Sequence, residues 1–333
     1  MYLRKKSRKE KNMEYAALTG INYVKFSRLI YGTGNRYLME DGEQEAFRTL
    51  DDAWEAGFRV FDTAHSYGNA EKNFGNWMES RGLRQQLVII DKGCNPGQQG
   101  STDIFCGETI RCQLEESLAR LKTEQVDYYI LHRDDPSKPV DEIMETLNDC
   151  KAQGKMDRFG ASNWSFARIR EANDYAAGHG LEGFSAVSPN YCLADYVHDP
   201  WGGSVSLSGA EAAGYRAWLE ETQLPVFNYS SLGRGYLSGK FRTDADKPIE
   251  ECLWSAPIQE YDSPKNRERL SRAEQLADQK GASVSQICLK WLLMQKMNLF
   301  PIVSPTSKAH IREIADVFRA ELSDEEARWL QPG

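Results

Sequence analysis

Residues 126–154 read VDYYILHRDDPSKPVDEIMETLNDCKAQG. The first seven are apolar and aromatic enough for a buried strand, in which side chains two apart share a face. A polar turn follows, with Asp134 and Asp135 just ahead of Pro136. Pro139 then opens a helical pattern that ends at Gly154, the residue types that favour a helix start and a helix stop. The stretch is one complete βα unit, and the fold turns on whether the rest of the chain repeats it.

The repetition runs from one end to the other. SRLIYG (27–32) precedes EQEAFRTLDDAWEAG (43–57), whose Phe47, Leu50, Ala53 and Trp54 form a helical stripe. FRVFD (58–62) precedes a helix over 69–81, and LVIIDKG (87–93) one over about 106–121. MDRFGASN (156–163) leads into 165–177, and FSAVSPN (184–190) into a long loop and 210–222. LPVFNYSSLG (224–233) leads into a second long loop and helices over 264–280 and 283–295. NLFPIVSP (298–305) is the last strand, with helices over 307–318 and 323–330 behind it. Eight βα units with no linker or compositional shift between them predict a single α/β domain over residues 14–333, a (β/α)8 TIM barrel. Its active site is expected at the C-terminal ends of the strands.

Composition is that of an ordinary globular protein, 41% hydrophobic and 27% charged, with a formal charge of −8. Residues 1–13 stand apart. MYLRKKSRKEKN carries six basic residues and one acid, +5, which leaves −8 − 5 = −13 on the body. With no apolar core for a signal peptide, this segment reads as a disordered basic extension. The acidic body argues against a nucleic-acid partner, and no apolar run approaches the roughly 18 residues of a membrane span. Seven cysteines without a C-x-x-C pair suit a reducing cytoplasm and give no zinc signature. A soluble, cytoplasmic protein with a small-molecule partner is expected, of oligomeric state that the sequence does not disclose.

Three consecutive strands end on an ionisable residue at an inward position: Asp62 shares a face with Val60, Lys92 with Ile90, His132 with Tyr128 and Ile130. Each alone has a plain structural explanation, as a helix cap or a satisfied core histidine. Together on adjacent strands they converge, with Tyr67 on the loop beside them. A phenol has an ordinary pKa near 10, and a nearby ammonium such as Lys92 is expected to bring it down. The buried ammonium in turn needs a counter-ion, which Asp62 supplies.

FDTAHSYGNAE (61–71), IIDKG (89–93) and YYILHRDD (128–135) together resemble the aldo-keto reductases, with a likeness that runs over about residues 27–330. The resemblance implies interconversion of an aldehyde or ketone with an alcohol, and a nicotinamide cofactor bound without a Rossmann unit. It implies Tyr67 as general acid/base, Lys92 and Asp62 as the pair that tunes it, and His132 as the residue that orients the carbonyl. It implies further that Ser162 and Asn163 hold the nicotinamide carboxamide, with Ser188 where the family usually has glutamine, and that Tyr229 stacks on the ring. Ser230, Leu232 and Gly233 would line the pyrophosphate. Ser304, Thr306, Ser307, Lys308, Arg312 and Glu313 lie where the adenosine end would sit, with Ile314 in place of the usual asparagine and His310 in place of a frequent arginine. A helix start, two hydroxyls, Lys308 and no acid within 304–312 favour an anion there, so NADPH is expected ahead of NADH.

Two other readings fit parts of the chain. HRDD resembles the seed of a divalent-metal site in a sugar-isomerase-type barrel, but no second histidine falls at a strand end and no metal ligand is assigned. A regulatory or binding protein on the same scaffold, like the potassium-channel β subunits that resemble this family, is the other; the complete tetrad favours an enzyme. Tyr31, Trp164, Trp201 and Trp254 are the candidates for substrate contact, and the substrate itself is not legible.

Overall fold

The computed structural model describes residues 13–18, 21–40, 42–96 and 106–331; the basic segment 1–13 lies outside these except for Met13. Six strands form one parallel sheet: β3 (Ile30–Gly32), β4 (Val60–Asp62), β5 (Val88–Gly93), β6 (Val126–Leu131), β7 (Met156–Ala161) and β8 (Ile302–Val303), in the order β7-β6-β5-β4-β3-β8. Single parallel bridges complete the circuit, Ala161 to Val187, Val187 to Val226 and Val226 to Leu299. Eight strand positions therefore close into the expected barrel, with 184–190 and 224–233 reduced to bridges. Pro189 and Pro225 have no N–H to give a ladder. Serines bond some of the carbonyls instead: Ser188 Oγ donates to Phe227 O at 2.7 Å and Ser162 Oγ to Ser188 O at 2.6 Å.

The inward residues Ile30, Val60, Val88, Ile90, Tyr128, Ile130, Ala186, Phe227, Phe300 and Ile302 fill the barrel. An antiparallel hairpin, β1 (Tyr15–Leu18) with β2 (Ile21–Ser27), adds Leu18 and Phe26 to the same cluster. Phe26 lies edge-on to Phe300 at 5.0 Å and 6.1 Å from Phe227. Because Val60 and Val88 begin their strands, the hairpin closes the N-terminal end of the barrel, and the C-terminal end is left for chemistry. The sequence pattern had not distinguished this hairpin from the approach to β3.

Helices cover the outside close to their expected bounds, among them Glu43–Glu55, Ala70–Arg81, Gly107–Leu121, Val140–Ala152, Phe166–Gly178, Pro264–Lys280 and Val284–Leu293. Ser165, Ser263, Ser283 and Ser307 each cap a helix by accepting a hydrogen bond from the amide three residues on. The helix expected over 210–222 begins at Ala213, and that over 307–318 ends at Ala315. Two short helices, Ile249–Cys252 and Ser255–Tyr261, occupy the loop after the seventh strand position. Among the described residues no helix is long and apolar enough to cross a membrane.

Helix Ala70–Arg81 packs on the end of Gly107–Leu121 so closely that a Cβ on Gly75 would stand 2.4 Å from Arg120 O and 2.8 Å from Leu121 Cα. Backbone cannot rotate aside as a side chain can. Gly75→Ala should therefore lower the unfolding free energy by about 1–3 kcal/mol in urea denaturation. Gly178→Ala, with open space around the added carbon, should be neutral or stabilising. Matching effects at the two sites would show that the Arg120 contact does not govern Gly75.

Candidate active site

Asp62 is the last residue of β4, Lys92 the last but one of β5, and His132 follows β6 directly. The loop after β4 continues alongside the strand: Thr63 N donates to Ile90 O and His65 N to Lys92 O, both at 2.8 Å. It then turns tightly, with Tyr67 N donating to Ala64 O and Ala70 N to Tyr67 O, each at 2.9 Å. Gly68 makes the turn possible; its φ of +55° is left-handed, and a Cβ there would meet Met39 O at 2.7 Å. The result is a tyrosine ring held over the strand ends.

The Lys92 ammonium donates to Asp62 Oδ2 and lies 3.4 Å from Thr63 O. Asp62 is 3% exposed and Lys92 2%. The ammonium is 5.3 Å from the centroid of the Tyr67 ring, which meets the His132 ring edge-on at 5.7 Å. Burial lifts the Asp62 carboxyl and opposes the charge on Lys92. The attraction of Asp62 overcomes burial at Lys92 and holds its pKa above the ordinary value. For Tyr67 the expected lowering is reversed: burial raises the phenol pKa by more than Lys92 pulls it down, and Asp62 adds to the rise. His132 is driven well below its ordinary value by burial and then by the cations Lys92 and Arg133, so its ring is neutral. Its Nδ1 is buried, with no hydrogen-bond partner among the described residues. A phenol that keeps its proton, next to an ammonium that can balance a phenolate, can give a proton to an oxygen presented beside His132.

The other expected residues divide. Asn163, with a left-handed φ of 61°, donates from Nδ2 to His132 O (3.2 Å) and Ser162 Oγ (3.1 Å), and its Oδ1 accepts from Val205 N (3.1 Å) and Tyr229 OH (2.7 Å). Ser162, Asn163, Ser188 and Tyr229 are thus one bonded group beside His132. Ser230 and Gly233 both have left-handed φ, flanking Leu232, and the amides of Ser231 and Leu232 have no acceptor among the described residues. Free amides in a turn of this kind suit an anion, so the residues present fit a cofactor pyrophosphate.

Beyond β8, Ser304 Oγ donates to Gly32 O at 2.6 Å and Ser307 caps the helix Lys308–Ala315. Thr306 is half-buried beside them, Arg312 is exposed, and Glu313 O accepts from Gln286 Nε2 at 2.8 Å. Lys308 is not a free cation: it pairs with Asp52 (2.7 Å) and Glu55 (3.0 Å). The acids come from helix Glu43–Glu55 across the barrel surface, a contact that the local segment 304–312 does not reveal.

Tyr31 and Trp164, expected as substrate contacts, are both buried in packing. Tyr31 is fully buried against Phe58 and Phe61, with its hydroxyl on Pro305 O at 2.8 Å, and Trp164 is 1% exposed with Nε1 on Arg133 O at 2.9 Å. Both aromatics serve packing behind the site. Trp201 and Trp254 are exposed, 48% and 58%, at the rim. In HRDD, Asp134 pairs with Arg168 (3.4 Å) and Asp135 accepts from Ser137 N (3.0 Å).

The Aldo/keto reductase family model matches residues 28–331, almost the whole chain. The chain belongs to the aldo/keto reductase family. It is similar to Uncharacterized oxidoreductase YrpG of Bacillus subtilis (28% identical, covering 96% of this chain and 95% of the relative). It is also similar to the norsolorinic acid reductase stcV of Emericella nidulans (26%; 94% and 79%) and to a putative aryl-alcohol dehydrogenase of Saccharomyces cerevisiae (25%; 87% and 76%). Aldo/keto reductases are oxidoreductases that use nicotinamide cofactors.

Two reductase residues of interest escaped the sequence reading. Arg133, next to His132, is near enough to act on the ionisation of Tyr67 and His132. Lys240 ends LSGK, directly after the glycine turn, and lies near enough to His310 to push down its pKa, although burial is the larger cause. A lysine closing a glycine-rich turn was the available signal.

Removing one partner of the Lys92–Asp62 pair leaves the other buried alone. Lys92→Met should cost about 3–5 kcal/mol of stability, and adding Asp62→Asn should recover part of it, both read by denaturant titration. Strictly additive losses would disprove the coupling.

Proposed function

We propose that this reductase interconverts an aldehyde or ketone with its alcohol, using NADPH, with Tyr67 as the general acid. The observation that carries this reading is the Tyr67 ring over a buried Lys92–Asp62 pair and beside a neutral His132. In reduction, His132 donates a hydrogen bond to the carbonyl oxygen and fixes its position. The bound cofactor supplies the hydride. As negative charge grows on the oxygen, Tyr67 gives up its proton, and Lys92 balances the phenolate. Burial keeps the phenol protonated at neutral pH, so the acid is loaded before substrate arrives. The name of the aryl-alcohol relative supports aromatic aldehydes and alcohols as the first compounds to screen.

Tyr67→Phe deletes the proton donor and leaves the strand ends in place. Turnover of benzaldehyde should fall by about 10²–10⁴, while the dissociation constant for NADPH, from quenching of tryptophan fluorescence, stays near the wild-type value. Near-wild-type kcat in this variant would remove Tyr67 from the acid role.

For the cofactor phosphate, Lys240 and Arg312 are the candidates in place of Lys308, since both are exposed and neither has an ion-pair partner among the described residues. Arg312→Ala and Lys240→Ala should each lower the NADPH-to-NADH ratio of kcat/KM by about 10- to 100-fold, the range for losing a charged hydrogen bond. Lys308→Ala should leave the ratio unchanged. A wild-type preference for NADH would overturn the assignment.

A further inference from the structure

The rim of the site carries several carboxylates, and nearly all are engaged. Arg234 pairs with Glu260. Asp134 holds Arg168, and Asp195 holds Arg269 (2.7 Å) and Lys265 (3.1 Å). Asp199 accepts from Trp201 N (3.1 Å) and Ser204 N (2.7 Å). Arg133, unlike these paired arginines, has no carboxylate within ion-pair distance among the described residues. Its guanidinium donates only to the neutral Ser204 Oγ, at 3.1 Å. Asp199 feels its charge from farther off.

The position of this unneutralised cation is fixed from both ends. Its carbonyl accepts from Trp164 Nε1 at 2.9 Å, and its guanidinium lies 5.7 Å from the centre of the Trp201 ring. Trp201 in turn stands edge-on to Tyr229, at 6.2 Å, and Tyr229 bonds Asn163. Arg234 sits 4.9 Å from the same Trp201 ring and 4.7 Å from that of Trp254. The guanidinium of Arg133 thus lies beside the exposed indole of Trp201 and near enough to His132 and Tyr67 to act on both. A flat apolar body suits indole faces, and a half-buried guanidinium lacking a carboxylate suits one brought by a ligand.

We propose that Arg133 selects the substrate, and that the preferred class is an aromatic aldehyde or ketone carrying a carboxylate, with its ring against Trp201 and its carboxylate on Arg133. The inference rests on the reductase reading above. It gives Arg133 a positioning and specificity role and no part in proton transfer.

The test compares 4-carboxybenzaldehyde with its methyl ester, a neutral aldehyde of similar shape, with NADPH as reductant. Wild type should favour the carboxylate in kcat/KM, and Arg133→Met should lower the carboxylate-to-ester ratio by about 10- to 100-fold, mainly through KM. Arg133→Lys should restore part of the preference. Benzoate, which cannot be reduced, should bind NADPH-loaded wild type in calorimetry and bind Arg133→Met at least tenfold more weakly. No carboxylate preference in wild type, a ratio unmoved by Arg133→Met, or a weakened NADPH affinity with the ratio intact would each overturn the proposal. Failure of wild type to reduce either aldehyde would count against the reductase reading instead, and the benzoate titration would still decide the role of Arg133.

Discussion

A lysine ammonium and an aspartate carboxylate in direct contact at the end of a parallel sheet, both almost out of reach of water, are the constraint on which the site depends. Neither charge is tolerable there alone. The pair fixes the relative height of β4 and β5, because Asp62 and Lys92 must meet across strands registered Asp62 to Ile90. It also fixes what stands above it. Tyr67 is held over the ammonium by the Ala64–Ala70 turn, and the cation helps keep the imidazole of His132 uncharged.

The back of β5 shows the same balance by other means. Strand alternation that turns Lys92 inward turns Asp91 out into the helix layer, fully buried, beside Glu71. Burial and Glu71 drive the Asp91 carboxyl well above the ordinary range, while Glu71 pairs with Arg120 at 3.0 Å. Two ionisable systems thus sit back to back across one strand. Arg120 also closes the packing at Gly75, where the backbone of its helix leaves no room for a side chain. The packing of Ala70–Arg81 on Gly107–Leu121 and the electrostatics behind Lys92 are for that reason one structural problem.

Most of the barrel was legible because its signals are local and periodic: strand runs of buried residues, amphipathic helices, serine caps and glycine stops. The strand-end tetrad was legible because alternation by two places Asp62, Lys92 and His132 on one side without any knowledge of the tertiary fold. What stayed hidden depends on partners far apart in sequence. Tyr31 and Trp164 resemble rim aromatics until Phe58, Pro305 and Arg133 O are brought to them. Lys308 resembles a free cation until Asp52 and Glu55 arrive from another helix. The hairpin of Tyr15–Leu18 with Ile21–Ser27 is short, and the contact of Phe26 with Phe227 and Phe300 marks it as the floor of the barrel.

The same distinction explains why the direction of the Tyr67 shift could not be read from sequence. Proximity of a lysine predicts a lowered phenol pKa, whereas the depth of the pocket, a property of the whole barrel mouth, predicts the opposite, and depth prevails. For the proposed reaction this outcome is favourable. Low polarity that discourages a phenolate discourages an alkoxide still more, since the alkoxide is the stronger base, and so the proton moves toward substrate. Lys92 then stabilises only the state formed after transfer, because a neutral phenol has little to gain from an ammonium. The buried pair serves the transition state and the product of proton transfer, while burial serves the resting acid, and the two opposing influences on one hydroxyl are both required.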